Sequence, residues 1–170
     1  MLKTIRFPLS NYPRPIITAT LNNNLTRCLI DTGADIPVWV DLEETFVRKF
    51  PDAVLVNESC MISGFGGEGV PYRVYRIPVL YLCDANGIGF SINNCIVAVG
   101  QMTRLNVQMI LSANMLKKID YSILNSAGEV VFTNVRDEYY MTLIEDGKSV
   151  TVFEQRETLK DMFSNATGNK

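Results

Sequence analysis

The chain contains no histidine. That absence removes Ser-His-Asp and Cys-His catalysis and every metal site built on imidazole. Its four cysteines are Cys28, Cys60, Cys83 and Cys95, and no two form a CxxC pair. Neither a zinc ribbon nor a dithiol redox motif is expected, and reduced, mostly buried thiols are. No stretch approaches the roughly 18 uninterrupted apolar residues of a membrane span. The opening segment MLKTIRFPLSNYPRP has no apolar core of signal-peptide length. A net charge of −2 gives no general attraction to nucleic acid or anionic lipid. The expectation is a free-standing cytoplasmic protein with no cofactor, no metal, no nucleic-acid partner and no membrane partner.

What is present fits one soluble domain. A length of 170 residues is enough to bury a real core, and 47% hydrophobic against 20% charged content is ordinary for a globular chain. Short apolar and β-branched runs dominate. Lys3 to Leu9, Ile16 to Leu21 and Leu25 to Ile30 read as strands, with Asn22-Asn23-Asn24 as a turn because Asn tolerates positive φ. Asp41 with Glu44 resembles a capping box opening a short helix, whose Phe46, Val47 and Phe50 form an apolar face and which Pro51 ends. Ala53 to Ile62 and Tyr72 to Leu82 form a long hairpin around the glycine-dense tip Gly64 to Gly69.

Asp84-Ala85-Asn86-Gly87 turns the chain into a strand from Phe90 to Val99. Val107 to Leu111 is another strand, and Ser112 caps a short helix through Lys118. Asn125 to Gly128 and Glu145 to Lys148 mark two further hairpins. The hairpin from Tyr139 to Phe153 is expected to cover a sheet edge or to extend a contact between subunits. The polar tail from Glu154 can start as a helix and is expected to fray from Asn165 to Lys170. Many short strands with one or two short helices predict an all-β fold, a closed or nearly closed barrel. Residues 1–134 form the main domain in this reading, and residues 135–170 a C-terminal hairpin and polar tail packed on it.

The most informative residues are Asp31-Thr32-Gly33, which follow the apolar run Cys28-Leu29-Ile30. A carboxylate at the end of a buried strand is partly desolvated. Two such carboxylates about 4 Å apart repel by roughly 4 kcal/mol at an effective dielectric near 20. One therefore holds a proton while the other stays ionised. The ionised group can take a proton from attacking water, and the protonated group can donate to the developing oxyanion. Only one such triplet occurs in the chain, so either a second Asp comes from a second copy or the triplet is not a protease site at all.

Three motifs stand in order. Leu29-Ile30-Asp31-Thr32-Gly33-Ala34-Asp35 resembles the active-site segment of retroviral-type aspartic proteases, the retropepsins. Met61-Ile62-Ser63-Gly64-Phe65-Gly66-Gly67 resembles their flap. Val107 to Leu116 resembles the strand and helix that close their fold. The resemblance spans Ile16 to Leu124.

It implies a homodimeric β-barrel endopeptidase acting on polypeptide, with Asp31 as the one catalytic residue per subunit. It also implies that Thr32 and Gly33 support the active-site loop, Thr32 through a reciprocal hydrogen-bond network beneath the two aspartates. Gly33, Ala34 and Asp35 would bind substrate backbone, and the flap residues Gly64, Phe65, Gly66 and Gly67 would close over the peptide. Glycines at that tip lower the cost of bending, and its backbone amides can bond an extended chain.

One departure stands out. Retropepsins usually carry Gly-Arg-Asn or Gly-Arg-Asp where this chain has Ser112-Ala113-Asn114. The missing Arg removes a partner for Asp35, for which Arg6, Arg14, Arg104 and Lys117 are the candidate replacements. Trp39, the single Trp, either lines a subsite or anchors the core. Two further readings stay open at this point: a non-catalytic dimeric peptide-binding module of the same fold, and a monomeric barrel with a structural Asp-Thr-Gly loop.

Overall fold

A computed structural model describes residues 2–11, 14–62, 70–101, 106–117, 119–136, 138–145 and 150–154. In chain order the elements are β1 (Lys3–Asn11), β2 (Ile16–Leu21), β3 (Asn24–Asp31), β4 (Val38–Trp39), α1 (Glu43–Lys49), β5 (Val54–Ile62) and β6 (Val70–Cys83). They continue with β7 (Gly89–Val99), β8 (Met109–Ser112), α2 (Ala113–Leu116), β9 (Asp120–Leu124), β10 (Glu129–Val135), β11 (Glu138–Glu145) and β12 (Val150–Glu154). The chain is mostly β, as its short apolar runs predict.

The β2–β3 hairpin turns on Asn22 and Asn23, with φ of 46° and 65°. Left-handed backbone at both central residues matches the right-handed twist of the flanking strands, and Asn tolerates it better than most residues. Asn22 also ties this tip to β6. Its side chain accepts from the Tyr81 N–H at 2.7 Å and donates to the Val79 carbonyl at 3.0 Å.

The apolar run of β3 lies beside that of β8 in a parallel ladder from Cys28↔Met109 to Asp31↔Ser112. Cys28, Leu29, Ile30, Met109, Ile110 and Leu111 are all buried. Continuous apolar sequence suits a parallel strand covered on both faces. Followed through its ladders, the pairing runs from β2 to β3, β8, β4, β7 and β6, then returns to β2 at Thr20↔Cys83 and Leu21↔Leu82. Ile17, Leu21, Leu80, Leu82 and Ile92 on these strands are buried. On one flank β1 pairs with β2 and β10, and β10 with β9. On the other, β11 runs parallel to β7 from Glu138↔Ser91 to Tyr140↔Asn93, and β12 pairs with β11.

Helix α1 departs from the capping box. It starts at Glu43, its cap residue is Leu42, and no side chain caps it. The Asp41 carboxylate accepts from the Leu42 N–H at 2.7 Å instead. The cause is the buried segment Ile36 to Val40, which is held in extended pairing by bonds such as Val40 N–H to the Gln108 carbonyl at 2.9 Å. Phe46 and Phe50 are buried but Val47 is 45% exposed, so it does not belong to the apolar face.

Trp39 is fully buried. Its ring meets Phe46 and Phe50 at 5.9 and 5.8 Å between centroids, and its indole N–H donates to the Leu42 carbonyl at 3.3 Å. It anchors the core. Helix α2 has the expected cap, with the Ser112 hydroxyl accepting from the Met115 N–H at 3.3 Å. It covers only Ala113–Leu116, shorter than the run through Lys118 that the sequence predicts.

Candidate active site

Asp31 is the last residue of β3 and stands opposite Ser112 at the end of the parallel ladder. The strand is fixed just before it, where the Ile30 N–H donates to the Pro15 carbonyl at 3.0 Å. The chain then turns tightly. The Gly33 N–H donates to the Asp31 carboxylate at 2.9 Å, and the Ala34 N–H donates to the Asp31 carbonyl at 3.2 Å. A Cβ on Gly33 would lie 3.1 Å from the Asp31 carboxylate oxygen. A side chain at Gly33 would press on that oxygen by a few tenths of an ångström, and glycine avoids the contact. The Asp31 carboxylate is half-buried, and Thr32, Gly33 and Asp35 are exposed. A carboxylate that accepts from a backbone N–H and is only half-buried remains within reach of a water molecule.

The next two carbonyls are held by the start of α2. The Ala113 N–H donates to the Ala34 carbonyl at 2.8 Å. The Asn114 side-chain amide donates to the Asp35 carbonyl at 2.7 Å. Sequence reasoning missed this role for Ala113 and Asn114. The available signal was the Ser112 cap, which puts a helix start beside the Asp31 loop. The Asp35 carboxylate has no cationic partner among the described residues. Of the candidate cations, Arg6 pairs with Glu129 at 2.6 Å, and Arg104 lies outside the described residues. The Thr32 hydroxyl has no hydrogen-bond partner among the described residues of this single chain.

The long hairpin is formed by β5 and β6, whose last described pair is Ile62↔Val70. The expected flap residues Gly64, Phe65, Gly66 and Gly67 lie outside the described residues. On the β6 arm the Tyr72 ring lies against Gly100, where a Cβ would come within 2.2 Å of the ring. Further along, Glu43 of α1 accepts from the Tyr75 hydroxyl and pairs with Arg73 at 2.9 Å. These contacts fix the base of the hairpin to the body.

None of the four cysteines is in a disulfide. Burial pushes the Cys28 thiol up to about 12 and raises that of Cys95 as well. A thiol held neutral is a poor nucleophile and a poor metal ligand. Among the described residues no group of three or more His, Cys, Asp or Glu side chains could hold a metal ion, and no helix is long and apolar enough to cross a membrane.

No protein-family model matches the sequence, and no curated protein does. Solved structures do match. A retropepsin-like aspartic protease from Rickettsia conorii superimposes with a TM-score of 0.51 at 16% identity, over 78% of this chain and 92% of that one. The EIAV protease in complex with the inhibitor HBY-793 is 20% identical over 64% of this chain and 89% of that one, with a TM-score of 0.42. The likeness to the Rickettsia protein is one of fold, and this chain has the retropepsin-like fold.

Proposed function

We propose that this protein is a retropepsin-like aspartic endopeptidase. It hydrolyses peptide bonds with a water activated between two Asp31 carboxylates, one from each subunit of a homodimer. The observation that carries the reading is the placement of Asp31. A half-buried carboxylate ends a parallel β3–β8 ladder, with a backbone N–H on one oxygen. The ring of ladders through β2, β3, β8, β4, β7 and β6 supports a closed barrel as the scaffold. In this reading Thr32 and Gly33 support the loop, and Gly33, Ala34 and Asp35 bind the backbone of an extended polypeptide. Gly64, Phe65, Gly66 and Gly67 form a flap over it. Residues 1–134 make the protease domain, with the hairpin and tail of residues 135–170 packed on it. Four cysteines outside any disulfide suit a reducing compartment such as the cytoplasm.

The mechanism needs one carboxylate protonated and one ionised. The ionised Asp31 accepts a proton from water as the oxygen attacks the scissile carbonyl. The protonated Asp31 of the other subunit donates to the carbonyl oxygen. The resulting tetrahedral species collapses with proton transfer to the leaving amine. The test is incubation with a peptide library, wild type beside Asp31→Asn, with fragments read by mass spectrometry. Cleavage by wild type alone is expected. No cleavage by either protein, with peptide still bound, would replace the enzyme by a peptide-binding module.

A further inference from the structure

We propose that Asn114 is a positioning residue for the substrate-binding stretch of the Asp31 loop. With Ala113 it forms an uncharged clamp on two consecutive carbonyls. The inference rests on the proteolytic reading above and adds how the substrate-facing backbone is aimed. The clamp is direct in geometry. The Ala113 N–H meets the Ala34 carbonyl at 2.8 Å, and the Asn114 side-chain amide meets the Asp35 carbonyl at 2.7 Å. Ala113 is the first residue of α2, so its N–H has no acceptor within the helix and is available to the loop.

The clamp stands on a rigid base. Ser112 is fully buried, caps α2 and pairs with Asp31. Met115 and Leu116 anchor the helix in the core. The loop therefore touches the same short segment at Asp31, at Ala34 and at Asp35.

The consequence follows from peptide planarity. In a trans peptide the N–H points opposite to the preceding carbonyl. Turning the Ala34 carbonyl onto α2 turns the Asp35 N–H away from it. That N–H has no acceptor among the described residues. It is thus free to bond a carbonyl of an extended peptide, as in strand addition. Neither donor in the clamp is ionised, so salt does not screen it. The Asp35 carboxylate takes no part in it.

The experiment uses the full chain with Asn114→Ala and Asn114→Asp. The second keeps the shape but replaces the amide donor with a carboxylate oxygen facing a carbonyl. Active sites are titrated with a statine-containing peptide, and kcat and KM are measured on a peptide that wild type cleaves. Hydrogen exchange is followed at the Ala113 amide. Both variants should raise KM and lower kcat/KM about tenfold, with kcat per titrated site changed less. Ala113 exchange should quicken. A loss of folded protein alone would lower the titrated site count and leave KM unchanged.

Wild-type KM in both variants, or unchanged Ala113 exchange, overturns the proposal. So does unfolding of both variants, because Asn114 would then hold the fold and not the loop. If wild type itself cleaves nothing, the catalytic reading fails separately. The clamp is then decided by Ala113 exchange and by affinity for the statine peptide.

Discussion

Asp31 and Ser112 face each other at the last position of the parallel β3–β8 ladder, and Ser112 also caps the helix that follows. One residue thus links the end of the strand bearing the carboxylate to the start of the helix that holds its loop. Ser112 is fully buried, so its hydroxyl satisfies a helix-end donor that water does not reach.

Replacing Ser112 with Ala removes that acceptor and keeps the ladder. The expected cost is about 1 kcal/mol of stability, the usual size for loss of a cap. Urea denaturation of wild type and Ser112→Ala measures it. An unchanged midpoint would show that the Met115 N–H finds another acceptor.

The buried thiols make stability fall at alkaline pH. Cys28 is fully buried, which pushes it from 9.0 up to about 12. Between those values the folded chain keeps a proton that the unfolded chain releases. The contribution is therefore complete below about pH 9 and is lost as pH rises toward about 12, at roughly 1.4 kcal/mol per pH unit for one thiol. Denaturation midpoints taken from about pH 8 to about pH 10.5 should fall less steeply in Cys28→Ala than in wild type. Parallel curves would mean that this thiol does not titrate differently in the two states.

Local pattern revealed what local chemistry controls. The Asn22-Asn23 turn, the Ser112 cap and the apolar runs of β3 and β8 are all legible because neighbours in sequence decide them. The Asp31 loop was legible for the same reason. The Asn114 clamp was not, since its amide and the Asp35 carbonyl are 79 residues apart. The start of α1 was missed for a related reason. Asp41 has the right chemistry for a cap, but pairing of Ile36 to Val40 with distant strands delays the helix. Glu43 is then drawn to Tyr75 and Arg73 on β6. No local periodicity encodes such partners. Trp39 was ambiguous for want of its neighbours, and its contacts with Phe46 and Phe50 resolve it.

The dimeric reading makes the sharpest demand. One Asp-Thr-Gly per chain requires the proposed site to sit on a two-fold axis, because an isologous interface places the same residue on both sides. A subunit alone is then inert, and specific activity should fall on dilution below the dimer dissociation constant. Adding excess Asp31→Asn to a fixed amount of wild type should also suppress activity. The heterodimers it forms keep one ionisable Asp31, which cannot serve as base and acid at once. Suppression should follow the heterodimer fraction calculated from free exchange of subunits. A monomeric enzyme predicts the opposite in both experiments: activity proportional to wild-type concentration on dilution, and indifference to the added variant. That outcome would remove the shared-site mechanism and leave the Asp31 loop to be explained within one chain.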